Sequence, residues 1–147
     1  MDLIDIDPVF FYGGIGFLLF VSAMIGLYVL ARRLRRPEML GMSRADIAKK
    51  WMEIRKTSDM SMMGAKMGVL EADNLLDATF KSLMMPGETM GERLKAACYR
   101  YPGLERVWWA HKLRNQIAHD ASANISQSQA KMALHDFERA LKILNVM

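Results

Sequence analysis

Residues 9–31 form an uninterrupted run without a charged side chain, and this run constrains the fold more than any other feature. It reads VFFYGGIGFLLFVSAMIGLYVLA. A helix needs about 20 consecutive apolar residues to cross the hydrocarbon core of a bilayer. A signal peptide would have a basic segment before a shorter apolar core, and the sequence shows neither. The run therefore predicts a transmembrane helix over Val9–Ala31.

The charges on either side of this run predict its orientation. Acidic residues precede it, and the basic segment Arg32–Arg36 follows it directly. The flank richer in Lys and Arg normally stays in the cytoplasm. We therefore expect a single-pass protein of the inner (cytoplasmic) membrane with its N-terminus outside. Val9–Ala31 would then lie in the lipid bilayer, and Arg32–Arg36 would lie at anionic headgroups.

The composition divides the chain in the same way. All 20 Lys and Arg residues follow residue 31, and the chain has one cysteine, Cys98. A single cysteine excludes an internal disulfide framework and a Cys-rich zinc site. The predicted domains are a short extracytoplasmic tail (1–8), the transmembrane helix (9–31), a basic juxtamembrane linker (32–42) and a cytoplasmic helical bundle (43–147).

The pattern after Pro37 predicts helices throughout, because it contains no alternating strand pattern and no Asn-Gly hairpin signal. Two helices are expected to begin at capping boxes, Ser43 with Asp46 and Ser126 with Gln129. Three others are expected at about Met60–Met84, Thr89–Tyr99 and Leu104–Ala118. The predicted fold class is all-α, with one transmembrane helix followed by a cytoplasmic four- to five-helix bundle.

The fourth of these helices contains the residues best suited to chemistry, in the segment WWAHKLRNQIAHD (108–120). A helical period predicts a buried stripe formed by Trp109, Leu113 and Ile117. A second, mostly polar stripe contains His111, Arg114, Asn115, Ala118 and His119. In an ideal helix, Arg114 and His119 are separated by about 140° of rotation and about 7.5 Å of rise. They could serve one ligand if Arg114 reaches around, if the helix ends near Ala118, or if a second subunit completes the site.

The pattern Arg114-Asn115-x-x-x-His119 resembles the motif of the HEPN superfamily, an Arg, a polar residue and a following His in a helical bundle. Glu71–Asp77, Gly87–Lys95 and the closing amphipathic helix also look like segments of small bacterial HEPN-like proteins. The resemblance covers roughly residues 45–146. It implies that the four- to five-helix bundle is HEPN-like.

The resemblance also implies a function, metal-independent cleavage of RNA without a cofactor. His119 would act as acid or base on the ribose hydroxyl or the leaving oxygen, because imidazole titrates near neutral pH. Arg114 would hold the scissile phosphate, because guanidinium matches phosphate oxygens. Asn115 would support these two residues, and His111 would be a further RNA- or phosphate-binding residue. Active members commonly form dimers, so a homodimer with RNA as partner is expected.

The alternative is a non-catalytic, membrane-tethered module for protein interaction or dimerisation. Arg114 would then pair with Asp73, Asp77 or Glu71 on the second bundle helix, and His119 would terminate its own helix. A third hypothesis is a docking subunit for a separate nucleotidyltransferase.

Two further groups of residues have ordinary structural interpretations. The i, i+4, i+8 spacing of Asp73, Asp77 and Lys81 predicts salt bridges along one helix. The methionines at positions 60, 62, 63 and 67 are unusually dense. Packing in the core or near the membrane is the first interpretation of these methionines, and a groove for a partner is the second.

Overall fold

The computed structural model describes residues 8–34, 40–120 and 124–147, with the side chains of residue 14 and residues 16–30 in the first range. The described residues form helices joined by short connections and contain no strand, so the predicted all-α class is confirmed for these ranges. The helices are α1 (Pro8–Leu34), α2 (Arg44–Met60), α3 (Met62–Ser82), α4 (Met90–Arg100), α5 (Val107–His119) and α6 (Gln127–Ile143). The chain divides into two compact units, Met1–Arg36 and Pro37–Met147.

The prediction of a transmembrane helix is corrected in the first unit. Across the ranges that the structure describes, no helix is long and apolar enough to cross a membrane. This finding contradicts the membrane span over Val9–Ala31, the single-pass description and the inner-membrane localisation. The predicted headgroup contacts of Arg32–Arg36 lie outside the described side chains.

Local hydrogen bonds explain where the helices of the second unit begin. The Ser43 hydroxyl accepts from the backbone N–H of Asp46, and the Asp46 carboxylate accepts from the backbone N–H of Ser43. A second capping box begins α6, formed by Ser126 with Gln129. Both were predicted, and both are confirmed. Each box satisfies backbone N–H groups that the first turn of a helix leaves unpaired.

The helices α2 and α3 form a hairpin in which the two helices approach each other very closely. Ser61 alone separates them and caps the start of α3. A Cβ atom on Gly68 would lie 1.9 Å from the Ser58 hydroxyl, and one on Gly64 would lie 2.2 Å from the Thr57 carbonyl oxygen. A side chain at Gly64 would therefore collide with the backbone of α2, whereas a side chain at Gly68 would first displace the Ser58 hydroxyl.

The hydrophobic core of the second unit is formed by side chains from all five of its helices. Its largest fully buried members come from all five helices, from the connection before α5 and from the segment after α6. They include Ile47, Leu76, Phe80, Leu94, Leu104, Phe137 and Leu141. Burial of each such side chain stabilises the folded state by about 1.5–3 kcal/mol. Helix α3 packs against α2, α4, α5 and α6, and an ion pair between Arg55 and Glu138 joins α2 to α6.

The buried face of α5 differs from the predicted stripe. Val107, Ala110 and Leu113 are buried, whereas Trp109 is exposed. The helix is therefore rotated relative to the prediction, so that Leu113 alone of the predicted stripe is fully buried. This rotation turns Ala110 and His111 toward the core side, and it decides which polar residues of α5 meet α3.

The core-packing interpretation of the clustered methionines is wrong. Met60, Met62, Met63 and Met67 are all exposed at the corner between α2 and α3. The close helix contact through Gly64 and Gly68 leaves no space for these side chains between the helices. They lie on the outside of the corner.

Candidate functional site

A buried carboxylate on α3 organises the polar residues of α5. Asp73 is only 2% exposed although it lies on a helix that is otherwise apolar on this side. Its two carboxylate oxygens face two different residues of α5. His111 Nδ1 lies 2.7 Å from Oδ1, and Arg114 Nε lies 3.3 Å from Oδ2. A buried carboxylate is costly unless it is paired, and α5 supplies both partners.

Asn115 closes this arrangement into a network. Its amide nitrogen lies 3.3 Å from His111 Nε2, and its amide oxygen accepts a hydrogen bond of 3.0 Å from Arg114 Nη1. The amide oxygen faces the guanidinium donor, so the amide nitrogen must donate to His111. His111 Nε2 is then unprotonated, and His111 Nδ1 carries the hydrogen that is donated to Asp73. The amide of Asn115 therefore fixes the tautomer of the imidazole.

Arg114 reaches α3 at a second point. Its Nη2 lies 3.5 Å from the side-chain oxygen of Asn74, at the long limit of a hydrogen bond. Arg114 Nε is buried without an aligned hydrogen bond in the described part of the chain. Its interaction with Asp73 is therefore an attraction of charges rather than a well-directed bond. The side chain as a whole is 28% exposed, so part of the guanidinium still faces solvent.

The network comprises Asp73, Asn74, His111, Arg114 and Asn115, and we call it the α3–α5 link. His111 has both ring nitrogens engaged within it, and its ring meets the edge of Trp108 at 6.3 Å between centroids. A general base needs an unprotonated nitrogen that can reach a substrate proton. In the α3–α5 link, the amide of Asn115 occupies that nitrogen. This arrangement holds two helices together, and the exposed part of the Arg114 guanidinium is the charged group that it offers to a ligand.

His119 lies apart from the α3–α5 link. It is the last residue of α5, which continues without interruption to that point, and its side chain is exposed. An uninterrupted helix places it about 140° around the axis from Arg114. Arg114 turns toward Asp73 instead of reaching around the helix. The first way in which these residues could share a ligand, with Arg114 reaching around the helix, is therefore not seen in the described chain. The helix does end within one residue of Ala118, and completion by a second subunit stays a prediction.

A second ionic cluster lies one turn further along α3. Arg93 of α4 donates to Asp77 Oδ1 at 2.7 Å and to the backbone oxygen of Gly87 at 2.6 Å. Lys81 lies 2.8 Å from Asp77 Oδ2, as the spacing predicted. Burial raises the pKa of Asp77, but hydrogen bonds and charge from Arg93 and Lys81 outweigh burial and lower it overall. Gly87 has a φ of +136°, which favours glycine at this turn.

Sequence reasoning selected Arg114, Asn115 and His111, and the structure brings these three residues together. The alternative hypothesis named Asp73 as one of three candidate partners of Arg114, and the structure shows this pair. The burial of Asp73 and its contact with His111 were not predicted. The role of Arg93 was not predicted either. A signal was available for Asp73, because this residue directly follows Ala72 in a helix whose apolar positions include Val69 and Leu76. A carboxylate at the edge of an apolar stripe needs a cation or a hydrogen-bond donor from a neighbouring helix.

No group of three or more His, Cys, Asp or Glu side chains that could hold a metal ion is found in the described ranges. Comparison of the chain with protein-family models, with curated proteins and with solved structures finds no match.

Proposed function

We propose that the chain is a non-catalytic helical module that associates with a second copy of itself. One observation carries the non-catalytic part of this proposal. Arg114 is bound by Asp73 and Asn115, while His119 lies exposed on another side of the same helix. A residue that must stabilise a phosphate in a reaction needs its donors directed at the substrate. Here the donors of Arg114 are largely directed at α3 and at its own helix.

The surface of α1 supports the proposed association. The large apolar side chains that α1 exposes between residues 17 and 30 are 46–69% exposed. Removing such surface from water is worth about 25 cal/mol per Å². A helix that is apolar on all sides is normally buried by another surface. Two copies of α1 would supply that surface to each other, because each presents the same apolar side chains.

The small residues of α1 favour a second copy as the occupant. Around the Cα atoms of Gly14, Gly16 and Gly26 there is open space, and an added Cβ atom would meet nothing within 4 Å. Small residues let the backbones of two helices approach closely, which increases the van der Waals contact between them. Symmetric pairs are also the commonest form of soluble assembly.

The mass of the full chain in solution tests this proposal. Light scattering behind size-exclusion chromatography should give twice the monomer mass for the wild type. A double substitution on one face of α1, Phe20→Glu with Leu27→Glu, should give the monomer mass. The matched control is Met52→Glu with Met132→Glu, which adds the same charge at exposed apolar positions of the second unit. Circular dichroism melts of all three proteins verify that the bundle stays folded.

Two results would overturn the proposed association. One is a monomeric wild type at concentrations up to about 100 μM, the level at which a standard interface with micromolar affinity is saturated. The other is retention of the wild type on neutral phosphatidylcholine vesicles in place of a dimer, with loss of that retention in the α1 variant. Such retention would mean that lipid, not a second copy, covers α1.

Cleavage of RNA by a HEPN-like active site is the second candidate function. It is favoured by the exposed part of Arg114 and by the exposed His119, which a second copy could bring into one cleft. The assay incubates the full chain with single-stranded RNA in the presence of EDTA. Cleavage that exceeds the His119→Ala background would support this candidate and would exclude a non-catalytic module. Equal background for wild type and His119→Ala would leave the non-catalytic proposal in place.

A further inference from the structure

The α3–α5 link is a chain of hydrogen bonds that all point the same way. Arg114 Nη1 donates to the Asn115 amide oxygen at 3.0 Å, and the Asn115 amide nitrogen donates to His111 Nε2 at 3.3 Å. His111 Nδ1 in turn donates to Asp73 Oδ1 at 2.7 Å. Each donor in this chain meets an acceptor only while the imidazole is neutral. The side chain of His111 is 13% exposed, so the ring is not sealed from the solvent.

A proton on His111 Nε2 would change this nitrogen from an acceptor into a donor. It would then face the amide nitrogen of Asn115, which is also a donor, and the hydrogen bond between them would be lost. A half-turn of the amide brings the amide oxygen to Nε2 and restores a hydrogen bond. The same half-turn places the amide nitrogen against Arg114 Nη1, where two donors meet. The Asn115 amide can therefore satisfy a neutral His111 together with Arg114, or a charged His111 alone.

The other contacts of Arg114 are too weak to hold it once the amide has turned. Within the described ranges, Arg114 Nε has no aligned hydrogen bond, and Arg114 Nη2 lies 3.5 Å from the Asn74 side-chain oxygen. A charged His111 also competes with Arg114 for Asp73 and repels it, because residues spaced i, i+3 on a helix are neighbours. We propose that the α3–α5 link is a proton switch, in which protonation of His111 turns the Asn115 amide and releases Arg114 toward solvent. The switch does not depend on association of two chains.

The charged groups that the neighbouring helices bury identify the partners of His111 in this switch. Helix α3 buries Asp73, which contacts His111 directly. Helix α4 buries Arg93, which is bound to Asp77, and helix α6 buries Asp136, which lies 3.8 Å from a histidine of its own helix. Arg93 and Asp136 thus have partners of their own. The charge of His111 therefore acts on the carboxylate that it shares with the arginine of α5.

Nitrogen NMR of the full chain follows both ends of the switch. The protein is labelled with ¹⁵N and titrated from about pH 8 to about pH 5, the range in which imidazole normally changes its charge. The Nε2 shift of His111 reports the proton, and the guanidinium signals of Arg114 report rotation about its C–N bonds. At high pH, the bound guanidinium should rotate slowly and give separate Nη1 and Nη2 signals. These signals should merge as the pH falls, with the same midpoint as the titration of His111.

Three variants separate the switch from a general effect of pH. His111→Gln keeps a hydrogen-bonding side chain but removes the titrating proton, so the Arg114 signals should not change over this range. Asn115→Ala removes the amide, so Arg114 should rotate freely at both ends of the titration while His111 still titrates. The matched control is His135→Gln, because His135 is an exposed histidine that also lies beside an aspartate. It should behave as the wild type does, and thermal melts verify that each variant is folded.

Several results would overturn the proposal. Separate Arg114 signals that persist after His111 has become charged would mean that the arginine keeps its acceptor. A wild-type transition of Arg114 in Asn115→Ala would mean that the amide does not couple the two residues. A transition that remains in His111→Gln, or that is lost in His135→Gln, would assign the trigger to another group. If His111 does not titrate before the bundle unfolds, the switch has no trigger.

Discussion

Two carboxylates on α3, one turn apart, perform different tasks in this bundle. Asp73 is 2% exposed and faces His111 and Arg114 of α5. Asp77 lies nearer the surface and joins Arg93 of α4 to Lys81 of its own helix. Two aspartates one helical turn apart therefore have different roles: Asp73 links two helices within the core, and Asp77 forms ion pairs near the surface. The helix packed against each aspartate decides its role.

The two sites also differ in how their partners are held. Around Asp73, the amide of Asn115 fixes the orientation of His111, and Arg114 Nε donates no well-aligned hydrogen bond. Around Asp77, the donors are charged and short, and Arg93 is anchored to the Gly87 carbonyl as well. Charge-assisted bonds of this kind are stronger than neutral ones. The deeper site thus has the poorer ionic geometry, and burial rather than bond quality makes it sensitive to substitution.

The largest effect is expected for Asp73→Ala. It leaves a half-buried guanidinium and a half-buried imidazole without their acceptor, and breaking a buried ion pair costs about 3–5 kcal/mol. Because Arg114 is 28% exposed, we expect the free energy of unfolding, measured with urea, to fall by the lower end of this range, about 3 kcal/mol. Adding Arg114→Leu should recover part of this loss, because it removes the unpaired cation. A loss below about 1 kcal/mol would contradict a structural role of the α3–α5 link.

Arg93→Ala is expected to have the second largest effect. This arginine is almost fully buried and connects Asp77 to the Gly87 turn. Its removal should lower the free energy of unfolding by about 2 kcal/mol, the usual cost of lost hydrogen bonds to a charged group. Arg100→Ala, at an exposed position of the same helix, is the control and should change stability little. Equal effects of the two substitutions would show that Arg93 contributes only through helix formation.

The contribution of Asp77 should depend on pH. Its pKa in the folded protein lies below the usual value, so its stabilising effect is present above the unfolded pKa of about 4. That effect is lost as the pH falls through the lowered folded pKa. The difference in Tm between wild type and Asp77→Asn should therefore be widest near pH 7 and narrow below about pH 4. A difference that stays constant down to pH 3 would mean that the charge of Asp77 does not matter.

The smallest effect is expected for Lys81→Ala. Lys81 is paired with Asp77, but its side chain is 60% exposed, and exposed i, i+4 pairs contribute about 0.3–0.5 kcal/mol. Lys142→Ala removes the equivalent exposed pair with Glu138, and both variants should unfold at nearly the wild-type urea concentration. If Lys81→Ala costs as much as Arg93→Ala, the distinction between the two partners of Asp77 is wrong.

The sequence predicts those features that arise within a few residues. The capping boxes of Ser43 and Ser126 are examples, since each consists of a side chain and a backbone group three residues apart. The rotation of α5 could not be predicted in this way. Trp108 and Trp109 are adjacent and equally apolar, and tertiary packing decides that Trp108 is the one that turns toward α4. Burial of Asp73 has the same origin, because its partners lie on α5, nearly 40 residues further along the chain.

The candidate site illustrates the same limit. Arg114, Asn115 and His111 share one side of a helix, so their proximity follows from spacing alone. That their common partner is Asp73 of α3 does not follow from this spacing. His119 was grouped with them as part of the same polar stripe, and as the last residue of α5 it lies on the flank of that stripe opposite Arg114.

The close α2–α3 hairpin has a consequence for the order in which the bundle forms. Contacts between helices joined by a single residue need little loop closure, so they form early and fast. The glycine contacts of this hairpin need no side-chain rearrangement, whereas the packing of α6 on α3 closes a long loop. We therefore expect the α2–α3 hairpin to form first and to serve as a template on which α5 and α6 assemble. The Asp73 carboxylate would then stay unpaired until α5 packs against α3, late in folding.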